Sequence, residues 1–550
     1  MNTILLQIFF CLILIGQIKT QTTIGLTQHS TGSLDNGYVL FAPIGSNNTY
    51  LIDKCGKQVK TWASTYKPGQ SCYILPDGTL LRTGNANNST FTAGGKGGII
   101  QKIDWNGNVT WTYSVSDATK CQHHDIKALP NGNVLIIAWE SKTNTQAISQ
   151  GRNPALVPAT LWSEQILEIQ PVGATAGNVV WEWHLWDHLI QDFDNTKPNY
   201  GIVNSNPQLI NLNYKASTTN SDWIHLNSID YNPSLDQILL SSHSFNEVWI
   251  IDHSTTKTEA ASHSGGNSEK GGDILYRWGN PMTYNIGSTS QFFGQHNALW
   301  IESGLPNQNQ ILVYNNGNGR PGGNYSTIEI INPPVTGYNY TSTLPYLPAS
   351  PSWIYNAANP NNLYSQNISG AQQLSNGNIL FCSGPSGTFV EIDSIGNTLW
   401  KYINPVANSG ILIQGVAPTQ NPVFRCSFYP ATFIGFAGQT LTAGNTIENI
   451  NTISATCNLS TGLINNLIKD EILIYPNPAN YYINIQIHER ISEKLNVELF
   501  DVFGQLVQQA AINPGTSYLC LDTKTLFAGN YLIKIIGMNV LKTKHIMISK

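Results

Sequence analysis

The sequence predicts an all-β protein, a six-bladed β-propeller followed by a small β-sandwich, and three observations carry that prediction. Charged residues make up only 11% of the 550-residue chain, whereas Gly, Asn, Thr, Ser and aromatic residues are abundant, which suits many short strands joined by turns. A turn-plus-strand phrase recurs six times: LDNGYVLFA at Gly37, LPDGTLLRT at Gly78, LPNGNVLII at Gly132, NPSLDQILLSS at Asp236, LPNQNQILVY at Asn309 and LSNGNILFC at Gly377. Most copies are followed by a second strand pair that closes on tryptophan, so that Trp62, Trp111, Trp181, Trp278 and Trp400 occupy matching places.

Each repeat reads as four antiparallel strands, with Asn-Gly and Asp-Gly turns supplying positive φ and an aromatic packing one sheet face on the next. One such sheet cannot bury both faces alone, and radial stacking solves that problem. A pair of β-sandwiches is the competing all-β arrangement, but sandwiches do not repeat a phrase six times.

From the N-terminus, residues 1–20 (MNTILLQIFFCLILIGQIKT) form an apolar run with a polar exit, a signal peptide too short in its apolar core to span a bilayer. No later stretch is apolar enough to cross a membrane, so no transmembrane segment is expected in the mature chain. Residues 21–435 hold the repeats; after Trp181 the interval stretches, and WHLWDHLIQDF reads as a short helical insertion over one face. Residues 436–470 turn Asn-, Thr- and Gly-rich and read as a closing strand and linker. Residues 471–550 alternate polar and apolar positions in the manner of a small sandwich.

The net charge of −5 gives no footing for a nucleic-acid partner. Seven cysteines follow the signal segment with no CxxC or other metal-ligand spacing, in what export makes an oxidising compartment. Disulfides are expected, the close pair Cys426 and Cys457 among the candidates, although spacing alone does not fix connectivity.

In a propeller the first strand of each blade lines the central channel, and histidines cluster there: His123 and His124 open HHDIKALPNG, His225 opens HLNSIDYNPS, and His296 opens QHNALWIESG. Asn227 lies two residues beyond His225 on the same strand face. A single channel histidine is more often a satisfied hydrogen-bonder than a catalyst, but three at equivalent repeat positions favour function. Three imidazoles can also hold zinc or copper, with Asp125 and Asp222 nearby in sequence.

The phrases HHDIKALPNGNVL, DWIHLNSIDY, ILLSSHSFNEVWIID, ILYRWGNP and QHNALW resemble the arylsulfotransferase family, whose members move sulfuryl groups between phenols without a nucleotide donor. The resemblance covers most of residues 35–435. It implies a nucleophile at His296, with His124, His225 and Asn227 around the sulfuryl group, small aryl sulfate and phenol substrates, no cofactor and no metal. One departure stands out: where the family carries arginine after the HxNS strand, this chain has Ser241-Ser242-His243. His243 protonated by a bound anion, Arg277 or Arg320 are the candidates to replace that cation. Near the C-terminus, Tyr475-Pro476-Asn477-Pro478, Asp501 to Gly504, Gly529 with Tyr531, and the basic end at Lys550 resemble the type IX secretion sorting domain of Bacteroidetes. That resemblance implies engagement of the type IX machinery, removal of the tail, and a product secreted or attached to the outer-membrane surface. The alternatives from other classes are a non-catalytic surface propeller that binds glycans or proteins, and a metal- or quinone-dependent oxidoreductase.

Overall fold

The computed structural model describes residues 22–30, 33–341, 343–357, 363–457, 472–487, 494–501, 505–536 and 541–549; the expected signal segment lies outside them. The chain divides into two compact units, Met1–Cys457 and Asn458–Lys550.

The first unit is mostly β and propeller-like, built from six antiparallel sheets of four or five strands. Their innermost strands are β1 (Pro68–Ile74), β2 (Lys120–Ala128), β3 (Leu226–Asn232), β4 (His296–Trp300), β5 (Gly370–Gln373) and β6 (Val423–Pro430). Each of these touches the next in order, and β6 touches β1. In five sheets the recurring phrase forms the turn after the inner strand, whereas the copy at Gly37 opens the second strand of the sheet whose inner strand, β6, comes from the far end of the body. Gly78, Gly132 and Gly377 take φ of +83°, +86° and +88° there, and Asp236 and Asn309 take +51° and +66° at the same place, the two non-glycine types that tolerate it best. Gly37 differs: its φ is ordinary, and glycine is required because an added Cβ would lie 2.2 Å from the Tyr429 carbonyl on β6.

The tryptophans fasten sheet to sheet. Trp62, Trp111 and Trp181 donate their indole N–H groups to Asp104 O (3.0 Å), Ala176 O (2.9 Å) and Thr255 Oγ1 (3.1 Å) of the next sheet. Trp278 and Trp400 do the same with Pro348 O and Lys54 O, both at 2.7 Å, and Lys54 belongs to the first sheet. A buried indole needs one acceptor, so each ring supplies apolar area to an inter-sheet core and a fixed direction for its neighbour.

Three expectations change. The insertion after Trp181 is one 3-10 turn, Leu185–Asp187, followed by the two-residue strand Leu189–Ile190, because Trp183 is buried while still in the strand Ala176–His184 and Leu185 is buried at once after it. Residues 436–457, read as linker, pack on the first unit through buried Phe436 and Ile447 and the helix Thr452–Thr456, whereas 458–470 lie outside the described residues. Cys457 is bonded to Cys55 and not to Cys426, whose thiol is free, because the returning segment lies over the first sheet's turn.

The second unit, taken by itself, is a sandwich. A three-stranded sheet (Ile472–Tyr475, Tyr482–Ile487, Tyr518–Asp522) and a four-stranded sheet (Leu495–Phe500, Leu506–Ile512, Gly529–Ile536, Leu541–Ile548) share a core that includes Ile483, Ile485, Val497, Leu499, Ile533 and Ile546. The carriers at 502–504 and Lys550 lie outside the described residues.

Candidate active site

Three inner strands, β2, β3 and β4, break regularity where they carry the polar residues. Register shifts fall between the pairings of Ile136 and Ala138 opposite β2, between Leu226 and Ser228, and between His296 and Leu299. His124, His225 and Asn297 sit in the left-handed region with φ of +51°, +54° and +54°. Bulges of this kind re-aim side chains, and they bring residues from several sheets to one place.

Four imidazoles form a chain there. Ring centroids are 4.6 Å apart for His124 and His225, 5.1 Å for His225 and His243, and 5.3 Å for His243 and His296. His124 and His296 are buried, whereas His225 and His243 are partly exposed; glycine backbone closes on two of the rings, where a Cβ on Gly95 would fall 1.9 Å from the His124 ring and one on Gly294 3.0 Å from His243 Nε2. No three of their ligand atoms lie within 4.8 Å of one another among the described residues, so the cluster does not have the convergence a shared metal needs.

The four rings divide electrostatically. At His296, Nδ1 donates to Asn316 Oδ1 (2.8 Å) and Gly294 O (3.1 Å), which fixes the proton on Nδ1 and leaves the lone pair on Nε2. Burial pulls its pKa down to about 3; the Asn316 bond opposes this, and His225 and Arg425 add to it. Burial also holds His124 and His243 well below the ordinary histidine value, with neighbouring imidazoles adding to the effect. His225 goes the other way: burial lowers it, but the Asp222 carboxylate bonded to Nδ1 outweighs that and raises it. The site therefore sets His296, held toward its neutral form, beside His225, whose carboxylate partner favours the protonated form. Behind His124, a buried run connects its Nδ1 to His123 Nδ1 (2.8 Å) and His123 Nε2 to Glu164 Oε2 (2.8 Å).

Asn227 sits in its bulge, donates Nδ2 to Gln295 O at 2.7 Å beside His296, and keeps a buried Oδ1 with no protein partner. Arg320 is engaged by its own loop, stacked on Tyr325 and Phe293 and bonded to Thr327 Oγ1. Arg277 is committed elsewhere too, in a buried two-point pair with Glu247 and three further bonds. The cation that does reach the site is Arg425 on β6, which sequence reasoning missed. Its Nη1 donates to Asp125 Oδ2 (2.7 Å) and Tyr73 OH (3.0 Å), its Nη2 to Asn227 O (3.2 Å), and its buried Nε is unpaired. The sixth inner strand has no recurring phrase after it, so periodicity gave no pointer to Arg425. A second missed contact is the Ile368 amide, which donates to His296 Nε2 at 3.2 Å from a β-branched residue held at φ +47°. Left-handed backbone at such a residue is strained and concentrates at functional sites.

Several known structures share part of this architecture at low identity. A protein of unknown function from Bacteroides caccae matches at 12% identity over 68% of this chain and 95% of its own, with a TM-score of 0.38. Virginiamycin B lyase from Staphylococcus aureus matches at 12% identity over 74% and 99%, TM-score 0.34. A periplasmic gluconolactonase from Pseudomonas aeruginosa matches at 9% over 88% and 99%, TM-score 0.34. At these scores none of them bears on function here. No curated protein matches the chain. Residues 473–549 match the secretion system C-terminal sorting domain, the tail that marks a protein for export. Residues 26–428 match the arylsulfotransferase (ASST) model, most of the chain and every inner strand described above except the last two residues of β6, and the chain belongs to the arylsulfotransferase family.

Proposed function

We propose that this is an exported aryl sulfotransferase on a six-bladed β-propeller, which moves a sulfuryl group from an aryl sulfate to a phenol through N-sulfohistidine at His296. The observation that carries the reading is the opposed setting of two rings in one cluster: His296 with its proton on Nδ1 and its lone pair on Nε2, and His225 bonded through Nδ1 to Asp222, which favours its protonated form.

His296 Nε2 attacks sulfur as the bond from sulfur to the aryl oxygen breaks, and His225 gives its Nε2 proton to the departing oxygen. A phenol with an ordinary pKa near 10 is a poor leaving group unless protonated, so this step needs the acid. The acceptor phenol then returns a proton to His225, attacks sulfur and releases His296. Attack breaks the Ile368 hydrogen bond to Nε2, and that amide turns to a sulfuryl oxygen, with Asn227 and Arg425 on the same group. Arg425 takes the part of the cation absent at His243. Its charge is shared with Asp125, which suits a monoanionic sulfuryl group better than a dianionic phosphoryl.

The test is incubation of purified protein with 4-nitrophenyl sulfate, with and without phenol, followed by intact-mass measurement. Wild type gains the mass of one sulfuryl group and releases nitrophenol faster with phenol; His296→Ala does neither. Absence of adduct and of release across a panel of aryl sulfates overturns the reading in favour of a binding propeller.

A further inference from the structure

Away from the channel, two loop insertions meet over the third and fourth sheets. One is the turn that ends at His188, which leads into Leu189–Ile190; the other is the long path between His253 and Ile274, folded on itself by Gly271 N–H to Gly265 O (2.9 Å) and Gly272 N–H to Ser262 O (3.0 Å). Trp183 joins them, donating Nε1 to Gly272 O at 2.7 Å and lying parallel to the His188 ring at 5.6 Å.

His188, His263 and Asp273 converge at this joint, with one ligand atom from each inside 4.8 Å. His188 and Asp273 are buried, and His263 is 61% exposed on its side chain. His188 Nε2 lies 2.8 Å from Ala260 O, an acceptor only, so Nε2 carries a proton. His188 Nδ1 then faces Asp273 Oδ1 at 2.8 Å, and His263 Nδ1 meets that same oxygen at 2.7 Å.

We propose that His188 Nδ1, His263 Nδ1 and Asp273 Oδ1 form a binding site for a divalent transition ion of the zinc class, which ties the 253–274 insertion to the turn at His188. Two imidazoles and one carboxylate are a donor set that zinc accepts. The bond from His188 Nε2–H to a backbone carbonyl is the outer contact that orients a metal-bound imidazole. Gly272 makes the approach possible, since a Cβ there would fall 2.6 Å from His188 Nε2 and 2.0 Å from Ala260 O. The exposed His263 leaves the fourth position open to water. Metal bonds to nitrogen and oxygen are about 2.0–2.2 Å, so ligands 2.7–2.8 Å apart move outward by a few tenths of an ångström to admit the ion. The site stands whether or not the channel transfers sulfuryl groups.

The test uses the purified full-length protein, stripped with chelator and titrated with cobalt(II), with elemental analysis for stoichiometry. The expected result is one equivalent per chain with the intense visible bands of four-coordinate cobalt, displaced by zinc. His263→Ala, an exposed change that the fold tolerates, and Asp273→Asn each weaken binding by at least about 100-fold, whereas His225→Ala leaves it intact. Bound zinc raises the melting temperature of the wild type and not of His263→Ala. No stoichiometric uptake, or uptake lost in His225→Ala and kept in His263→Ala, overturns the site.

Discussion

The outer strands and the inner strands of the same six sheets obey opposite rules. At the outer strands five tryptophans repeat one gesture, an indole N–H passed to the next sheet, so the repeat is kept because every joint poses the same packing problem. At the inner ends the repeat is broken: His124, His225 with Asn227, His296 and Arg425 occupy comparable places, the first three on or beside register shifts. Scaffold is what the sheets share, and chemistry is where they differ. Two histidines with raised pKa mark the contrast. His253 holds Glu168 of the third sheet and Asp236 of the fourth, a structural staple, whereas His225 leans on one carboxylate and keeps a nitrogen free for work.

The sharpest break of that comparison is His296→Ala, which should lower transfer by at least roughly 10⁴-fold with an unchanged melting temperature; a large thermal shift would mean that the inner ring is scaffold after all. Next is Asp222→Asn. Loss of the carboxylate lowers the His225 pKa, and transfer should fall roughly 10²–10⁴-fold, more for phenyl sulfate than for 4-nitrophenyl sulfate because the better leaving group needs less acid. In wild type kcat/KM should hold above about 3, where His296 is neutral, and fall as pH rises through the elevated His225 value; Asp222→Asn should move that alkaline limb to lower pH. An unmoved limb would remove His225 as the acid.

Most of the outer rule was legible in the sequence, and only part of the inner one. Strand, turn and tryptophan positions follow from local chemistry: positive φ at Gly78 or Asn309 and, after most copies of the recurring phrase, a strand pair that closes on tryptophan. His124, His225 and His296 were found because they precede that phrase, and His243 because it stands where the family carries arginine. Arg425 was not, since no phrase follows its strand, and Ile368 was not, since it lies before the phrase at Gly377 but acts through a backbone amide that its residue type does not announce. The partner of Cys457 was illegible because Cys55 is close only after the last strand joins the first sheet.

At the outer joints the expectations reverse. Trp111→Ala should remove about 3–5 kcal/mol of stability and leave transfer per folded molecule unchanged below the transition; denaturant melts beside activity measurements decide it, and a loss of activity in folded protein would tie the joints to the site. The smallest effect belongs to His253. Burial lowers its pKa, but Asp236 and Glu168 lift it to about 9, so its contribution, on the order of 3 kcal/mol, is fully present below the ordinary value of 6.5 and disappears as pH rises through 9. Melting temperature should decline across that window in wild type and not in His253→Asn, and parallel curves would refute the pairing.

The first sheet is assembled from both ends of the body, with β6 laid against Gly37–Pro43 in antiparallel register. During synthesis or export the strand Gly37–Pro43 therefore waits beside an empty edge until nearly the whole body has emerged. Non-local pairing of this kind is slow to form, and an open edge is a template for unwanted partners. A chain halted before Val423 has no way to shield that edge, whatever the quality of its other sheets. Completion of the polypeptide, and not the making of any single sheet, is the event that commits the molecule to its native form, and the Cys55–Cys457 bond then fastens the two ends after they have met.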